Sequence, residues 1–272
     1  MSLPLRIATS LASPGKRHRY GDDSSQLADL HVPSGNGPFP VAVLLHGGYW
    51  QRKYGKLVMR PLALDLVRRG WAAWNLEYRR LGPGRGGDGG WPMTFDDVAA
   101  GIDALADLRD ARLDLDRVSV VGHSAGGQLA LLAAGRHGAR VVELGAVVAL
   151  APVTNLAAAG GVARVLMGGS AEEVPDRYAV ADPILRAPLD VPVAIVHAAD
   201  DATVPARRSR EYTAAARARG GDVTLVEVPT GGHRAPIDPP SDAWLAAADW
   251  LERRRCAPRA DSALSPPAGS RS

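Results

Sequence analysis

Six short apolar runs recur along the chain, at 41–46 (VAVLLH), 72–78 (AAWNLEY), 117–123 (RVSVVGH), 145–150 (GAVVAL), 191–197 (VPVAIVH) and 222–228 (DVTLVEV). A strand that is apolar at successive positions carries its greasy side chains on both faces, so both faces must be covered. Stretches of helical spacing near 56–69, 95–109, 125–137, 206–219 and 241–255 supply that cover, the first ending at Gly70 as a helix stop. The alternation predicts an α/β fold, a mostly parallel twisted sheet with helices on both faces. Ahead of it, "YGDDSSQLADLHVP" reads as a short extended stretch suited to antiparallel edge strands, and "PSGNGP" (33–38) as a turn.

Two segments fit no regular element: a glycine-rich loop at 81–93 and an insertion at 155–183 between the fourth and fifth parallel strands, which could form a small helical lid. Residues 1–255 are expected to form one domain, and the proline- and serine-rich tail 256–272 to be disordered. No apolar stretch approaches 20 residues, so no membrane span is expected. The formal net charge is +3, but the arginines are scattered and no base-stacking motif accompanies them, which argues against a nucleic-acid partner. Arg6, Pro4 and Pro14 interrupt any secretory apolar region at the N-terminus, so the expectation is cytoplasmic. The single Cys256 can form no internal disulfide and is read as a bystander.

The segment "VVGHSAGGQLALLAAG" places G-x-S-x-G, Gly122 to Gly126, between an apolar strand and a helical stretch. In that context the turn is tight, its flanking positions must lack side chains, and Ser124 sits at a helix N-terminus where negative charge is favoured. Ser124 is therefore the candidate nucleophile. His123 is expected to pack beneath the turn in a structural role. A serine hydroxyl needs a base, and the base an orienting carboxylate. His233, in "PTGGHRAP", follows the last strand on a loop. Asp200 and Asp201, in "AADDATVP", both follow the fifth parallel strand; Asp200 is preferred because it lies nearer the strand end, leaving Asp201 to cap the next turn.

Acyl transfer also needs N–H donors for an oxyanion. The candidates are the backbone amides of Gly48 and Tyr49 in "HGGYW" and of Ala125 after the serine. Tyr49, Trp50 and Trp91 are the candidate substrate-binding aromatics. There is no H-E-x-x-H motif, no Cys/His cluster and no phosphate loop, so no metal or cofactor is expected, and the partner is a small-molecule substrate.

From about Tyr20 to Leu251 the ordered set HGG (46–48), GHSAGG (122–127), the aspartate loop with TVP (203–205) and GGH (231–233) resembles the α/β-hydrolase superfamily. The resemblance implies that fold and a Ser–Asp–His triad, with the first aspartate of the DDxxVP loop as its acid. Within the superfamily, "HGGYWQ" resembles the HGGxW signature of kynurenine formamidases (arylformamidases), which implies hydrolysis of an aryl formamide without a cofactor. The same motif is similar to that of related carboxylesterases and peptidase-like hydrolases, a lactonase would share every catalytic residue, and His197-Ala198 stands where many relatives have His-Gly. A general carboxylesterase is the alternative the residues leave open, and a non-catalytic binding module a more distant one.

Overall fold

The computed structural model describes residues 1–136 and 140–255. The expected disordered tail and Cys256 lie outside the described residues. A short helix α1 (Leu3–Ser10), not expected from the local pattern, precedes the edge strands β1 (Lys16–Arg19) and β2 (Leu27–His31). The parallel part follows as β3 (Phe39–Leu45), α2 (Arg60–Arg68), β4 (Ala72–Leu76), α3 (Met93–Asp103), β5 (Leu113–His123), α4 (Ala125–Ala134) and β6 (Ala146–Leu150). The expected insertion comes next and folds into three short helices, α5 (Gly161–Met167), α6 (Pro175–Ala181) and α7 (Pro183–Arg186). The chain closes with β7 (Val193–Ala198), α8 (Arg207–Arg217), β8 (Val223–Val228) and α9 (Asp242–Arg255). Among the described residues no helix is long and apolar enough to cross a membrane.

The eight strands form one sheet in the order β1-β2-β4-β3-β5-β6-β7-β8. β1 pairs antiparallel with β2, and β2 antiparallel with β4; every other pairing is parallel. The period-two alternation of a strand sorts its side chains onto two cores. Val41, Val43 and Leu45 of β3, with Val118 and Val120 of β5 and Val193 and Ile195 of β7, point to the side holding Val98 of α3, Leu129 of α4 and Tyr212 of α8. Ala42 and Leu44, with Val121, Val148 and Val196, point to the opposite side, against Leu62 and Leu66 of α2 and Trp244, Ala248 and Leu251 of α9. Both faces are therefore covered, as the unbroken apolar runs require.

Register aligns the strand ends that matter. Leu45 lies beside Gly122, His123 beside Leu150, Leu150 beside Val196, and Ala198 beside Val228. The segments leaving the carboxyl ends of β3, β5, β6, β7 and β8 consequently emerge along one edge, where open α/β sheets place their sites.

Candidate active site

Ser124 follows the last residue of β5 and caps α4 with φ 54° and ψ −116°, a conformation costly for a residue with a Cβ. Packing holds it there. A Cβ on Gly122 would lie 2.0 Å from the Gly126 carbonyl oxygen, and one on Gly126 would lie 2.2 Å from that of Leu45, so the two flanking glycines are steric requirements. The turn is further held by the Ser124 N–H, which donates to Leu150 O at 2.8 Å. Strand, turn and helix thus present the Ser124 side chain at the sheet edge.

His233 meets it from the segment after β8: its Nε2 lies 2.9 Å from Ser124 Oγ, and its Nδ1 lies 2.7 Å from Oδ2 of Asp201. This corrects the expectation of Asp200. After β7 the chain turns back on itself, with the Asp201 N–H donating to Ala198 O at 3.2 Å, and this carries the second aspartate inward and leaves the first exposed. Asp200 accepts instead from the N–H groups of Gly231 and Gly232, at 3.1 and 2.8 Å, and so anchors the segment that carries His233. The two roles weighed for Asp201 coexist on one carboxylate. Oδ1 accepts from the N–H groups of Thr203 and Val204, at 2.8 and 2.9 Å, which is an Asx-type cap, while Oδ2 faces His233.

Asp201 has a second imidazole partner, His197 of β7, which is fully buried with Nε2 3.1 Å from Asp201 Oδ2 and 2.9 Å from Val204 O. Two acceptors at Nε2 place the proton there, so Nδ1 accepts from the Ser209 hydroxyl at 2.7 Å. Burial alone would raise the Asp201 carboxyl, but hydrogen bonds from His197, His233 and the Val204 amide outweigh it and hold the group well below the usual carboxylate range. It stays an anion facing His233. Sequence reading did not assign His197 a role, because a strand histidine carries no pattern that distinguishes a packed residue from a partner of the acid.

His123 is buried as expected, but it also contacts the site. Its Nε2–H donates to the His233 carbonyl at 2.8 Å and the two rings sit 4.7 Å apart. Burial, then the neighbouring His233, pushes its pKa down to about 3. A neutral ring with its proton on Nε2 follows.

On the other side of Ser124, the turn after β3 approaches so closely that a Cβ on Gly47 would sit 2.9 Å from Ser124 Cβ. Gly48 has φ +116°, and Tyr49 and Trp50 take φ values of 58° and 55°. The left-handed run reverses the chain, and the Gln51 N–H closes it on Gly48 O at 2.9 Å. Among the described residues the backbone N–H groups of Gly48, Tyr49 and Ala125 donate to no protein acceptor. The turn is braced from behind by His46, whose Nε2 lies 2.7 Å from Glu77 Oε1 and whose ring stacks on Tyr78 at 4.4 Å. Neither brace was legible in the sequence, since each joins strands far apart in the chain.

A cavity of about 180 Å³ opens beside Ser124, lined in part by Tyr49, Trp50, Ala125, Asn155, Ala159 and Val162. Tyr49 is exposed there. Trp50 contributes to the wall but is 1% exposed, its indole N–H donating to Gln128 of α4 at 3.1 Å. Trp91 does not line this cavity, which corrects the third aromatic. It sits just ahead of α3, with its ring 5.2 Å from that of Phe95, so packing on α3 claims the indole, while its backbone N–H donates to Leu166 O at 2.7 Å. The expected insertion does reach the site, through Asn155, Ala158, Ala159 and Val162.

An eight-stranded, mostly parallel sheet with a strained serine between β5 and α4 and a histidine after the last strand defines the α/β-hydrolase fold. The chain belongs to the BD-FAE family, which it matches over residues 28–215. It is 25% identical over 246 residues to esterase LipC of Mycobacterium tuberculosis, covering 80% of this chain and 59% of that protein. This chain therefore spans under two thirds of that curated relative's length. Among solved structures it is similar to a truncated carbohydrate esterase from gut microbiota, with TM-score 0.75, 20% identity, and coverage of 89% of this chain and 97% of that one. It is also similar to esterase B of Lactobacillus rhamnosis, with TM-score 0.72, 21% identity, and coverage of 93% and 92%.

Proposed function

We propose that the protein is a serine hydrolase that cleaves a small-molecule ester through an acyl-enzyme. The observation that carries the reading is the hydrogen-bonded line Ser124 Oγ, His233, Asp201, at 2.9 and 2.7 Å. His233 Nε2 takes the Ser124 proton as Oγ attacks the ester carbonyl, and the tetrahedral oxyanion is held by N–H groups drawn from Gly48, Tyr49 and Ala125. His233 then gives that proton to the departing alcohol as the C–O bond breaks. Water, deprotonated by the same nitrogen, attacks the acyl-serine; collapse releases the acid and returns the proton to Ser124. Asp201 keeps the histidine proton on Nδ1 and stabilises the imidazolium formed in each half.

A carboxylesterase fits better than an arylformamidase. The relatives named above are esterases, and of the three candidate aromatics that would suit an aryl group only Tyr49 is free, Trp50 being packed on Gln128 and Trp91 lying elsewhere. The cavity volume of about 180 Å³ also suits a small acyl or alcohol group. Treatment with a fluorophosphonate should place one adduct on Ser124 by mass spectrometry, and an unmodified Ser124 would remove the hydrolase reading. Short p-nitrophenyl esters should turn over faster than N-formylkynurenine; formamide cleavage without ester cleavage would restore the arylformamidase assignment.

A further inference from the structure

The walls of the cavity beside Ser124 carry charge of one sign only. Val153, Ala158 and Val162 line one part and Val204 and Pro205 another, while the charged lining residues are Arg207 and Arg208, both at the start of α8. Among the described residues no carboxylate lines the cavity. Arg208 is paired with Glu211 at 2.9 Å. Arg207 is exposed and, among the described residues, its guanidinium has no hydrogen-bond or ion-pair partner. An adjoining cleft of about 550 Å³ shares Val162 with the first, and its charged lining residues are Arg52 and Lys53, again with no acid among the described residues. The Arg52 side chain is likewise unpartnered among the described residues, and Lys53 lies over the Tyr54 ring.

A concave site whose rim holds a guanidinium without a counter-charge focuses a positive potential on whatever enters it. A guanidinium left without a protein acceptor presents its planar donor fork to a carboxylate, the geometry in which arginine binds most strongly. We propose that the preferred ester carries a carboxylate on the portion that enters this cavity, and that Arg207 is the residue that selects it. This rests on the ester-hydrolase reading above. It narrows the substrate class to half-esters of dicarboxylic acids or acyl esters of hydroxy acids, and it disfavours substrates with a cationic group there.

The test compares two matched pairs by pH-stat at low ionic strength. One pair is methyl valerate against monomethyl glutarate, in which the carboxylate sits on the acyl side. The other is butyl acetate against 4-acetoxybutyrate, in which it sits on the alcohol side. In at least one pair the anionic member should show a kcat/KM about tenfold above its neutral partner, the scale of one charge-assisted hydrogen bond at a part-exposed site. The ratio should shrink in added salt. Arg207→Gln should bring it near parity and Arg207→Glu should invert it, and because each variant is read as a ratio of two substrates, a partly inactive preparation cannot imitate the result. Preference for the neutral ester in both pairs, or an anionic preference that survives in Arg207→Gln, overturns the proposal. Neutral esters that turn over normally alongside such a result leave the hydrolase reading standing, whereas no turnover of any ester with Ser124 unlabelled removes both.

Discussion

Asp201→Asn should abolish turnover, and Asp200→Asn should not. The Asp201 side chain is fully buried and its Oδ2 faces two imidazole nitrogens, His233 Nδ1 at 2.7 Å and His197 Nε2 at 3.1 Å, while Oδ1 caps two backbone N–H groups. An asparagine that keeps the caps must turn its NH₂ toward His233. Nδ1 then becomes the acceptor, the ring proton moves to Nε2, and the nitrogen facing Ser124 can no longer take its proton. A wrong-tautomer triad loses about 10⁴ in kcat, or roughly 5.5 kcal/mol of barrier. Loss of the charge-assisted hydrogen bonds should also cost about 3 kcal/mol of folding stability. Asp200 is fully exposed and touches only the N–H groups of Gly231 and Gly232, so its asparagine variant can keep one of the two bonds and should lose less than about tenfold. The assay is kcat on p-nitrophenyl butyrate, with Tm and circular dichroism recorded for each variant so that an unfolded sample is not read as an inactive one. A folded Asp201→Asn variant with near-normal kcat, or an Asp200→Asn variant lacking activity, would refute the assignment.

Three further outcomes follow from neighbouring groups. His123 ordinarily titrates at 6.5 and is pushed down to about 3, so below pH 6.5 the unfolded chain takes up a proton that the folded protein refuses. Its contribution is complete above that pH and is lost as pH falls, by about 1.4 kcal/mol per unit between pH 6 and 4; urea unfolding should show that slope in the wild type and a flatter one in His123→Gln. His197→Phe should lower kcat by about tenfold with little change in KM, because His197 acts through Asp201 rather than on substrate; an altered KM with unchanged kcat would contradict this. Asp29 is fully buried against Lys56 and Arg60, with Arg17 beside it at 3.0 Å, so Asp29→Ala should strand buried cations and cost about 3–5 kcal/mol in denaturant unfolding.

Much of this was legible in the chain. The apolar runs at 41–46, 117–123 and 191–197 announce buried parallel strands because their pattern is local and repeated, and β3, β5 and β7 follow them within a few residues. The strand before Ser124 and the helix after it are equally local, so the strained turn could be read with its glycines. The choice between Asp200 and Asp201 could not be read in the same way. Adjacent residues differ only in where a turn aims them, and that turn is closed by Ala198 and by a loop more than 30 residues later. Trp91 was misplaced for a similar reason, since a bulky ring goes to whichever neighbour packs it best, here Phe95.

Sequence by itself determined the layered sheet, the serine at its strained turn and the histidine after the last strand, because backbone geometry and chain order set all three. Only the tertiary structure decided which carboxylate meets His233, which imidazoles brace the pair, and that Arg207 stands unpaired at the cavity beside Ser124. Those are contacts between side chains distant in sequence, fixed by the direction in which packing turns each residue.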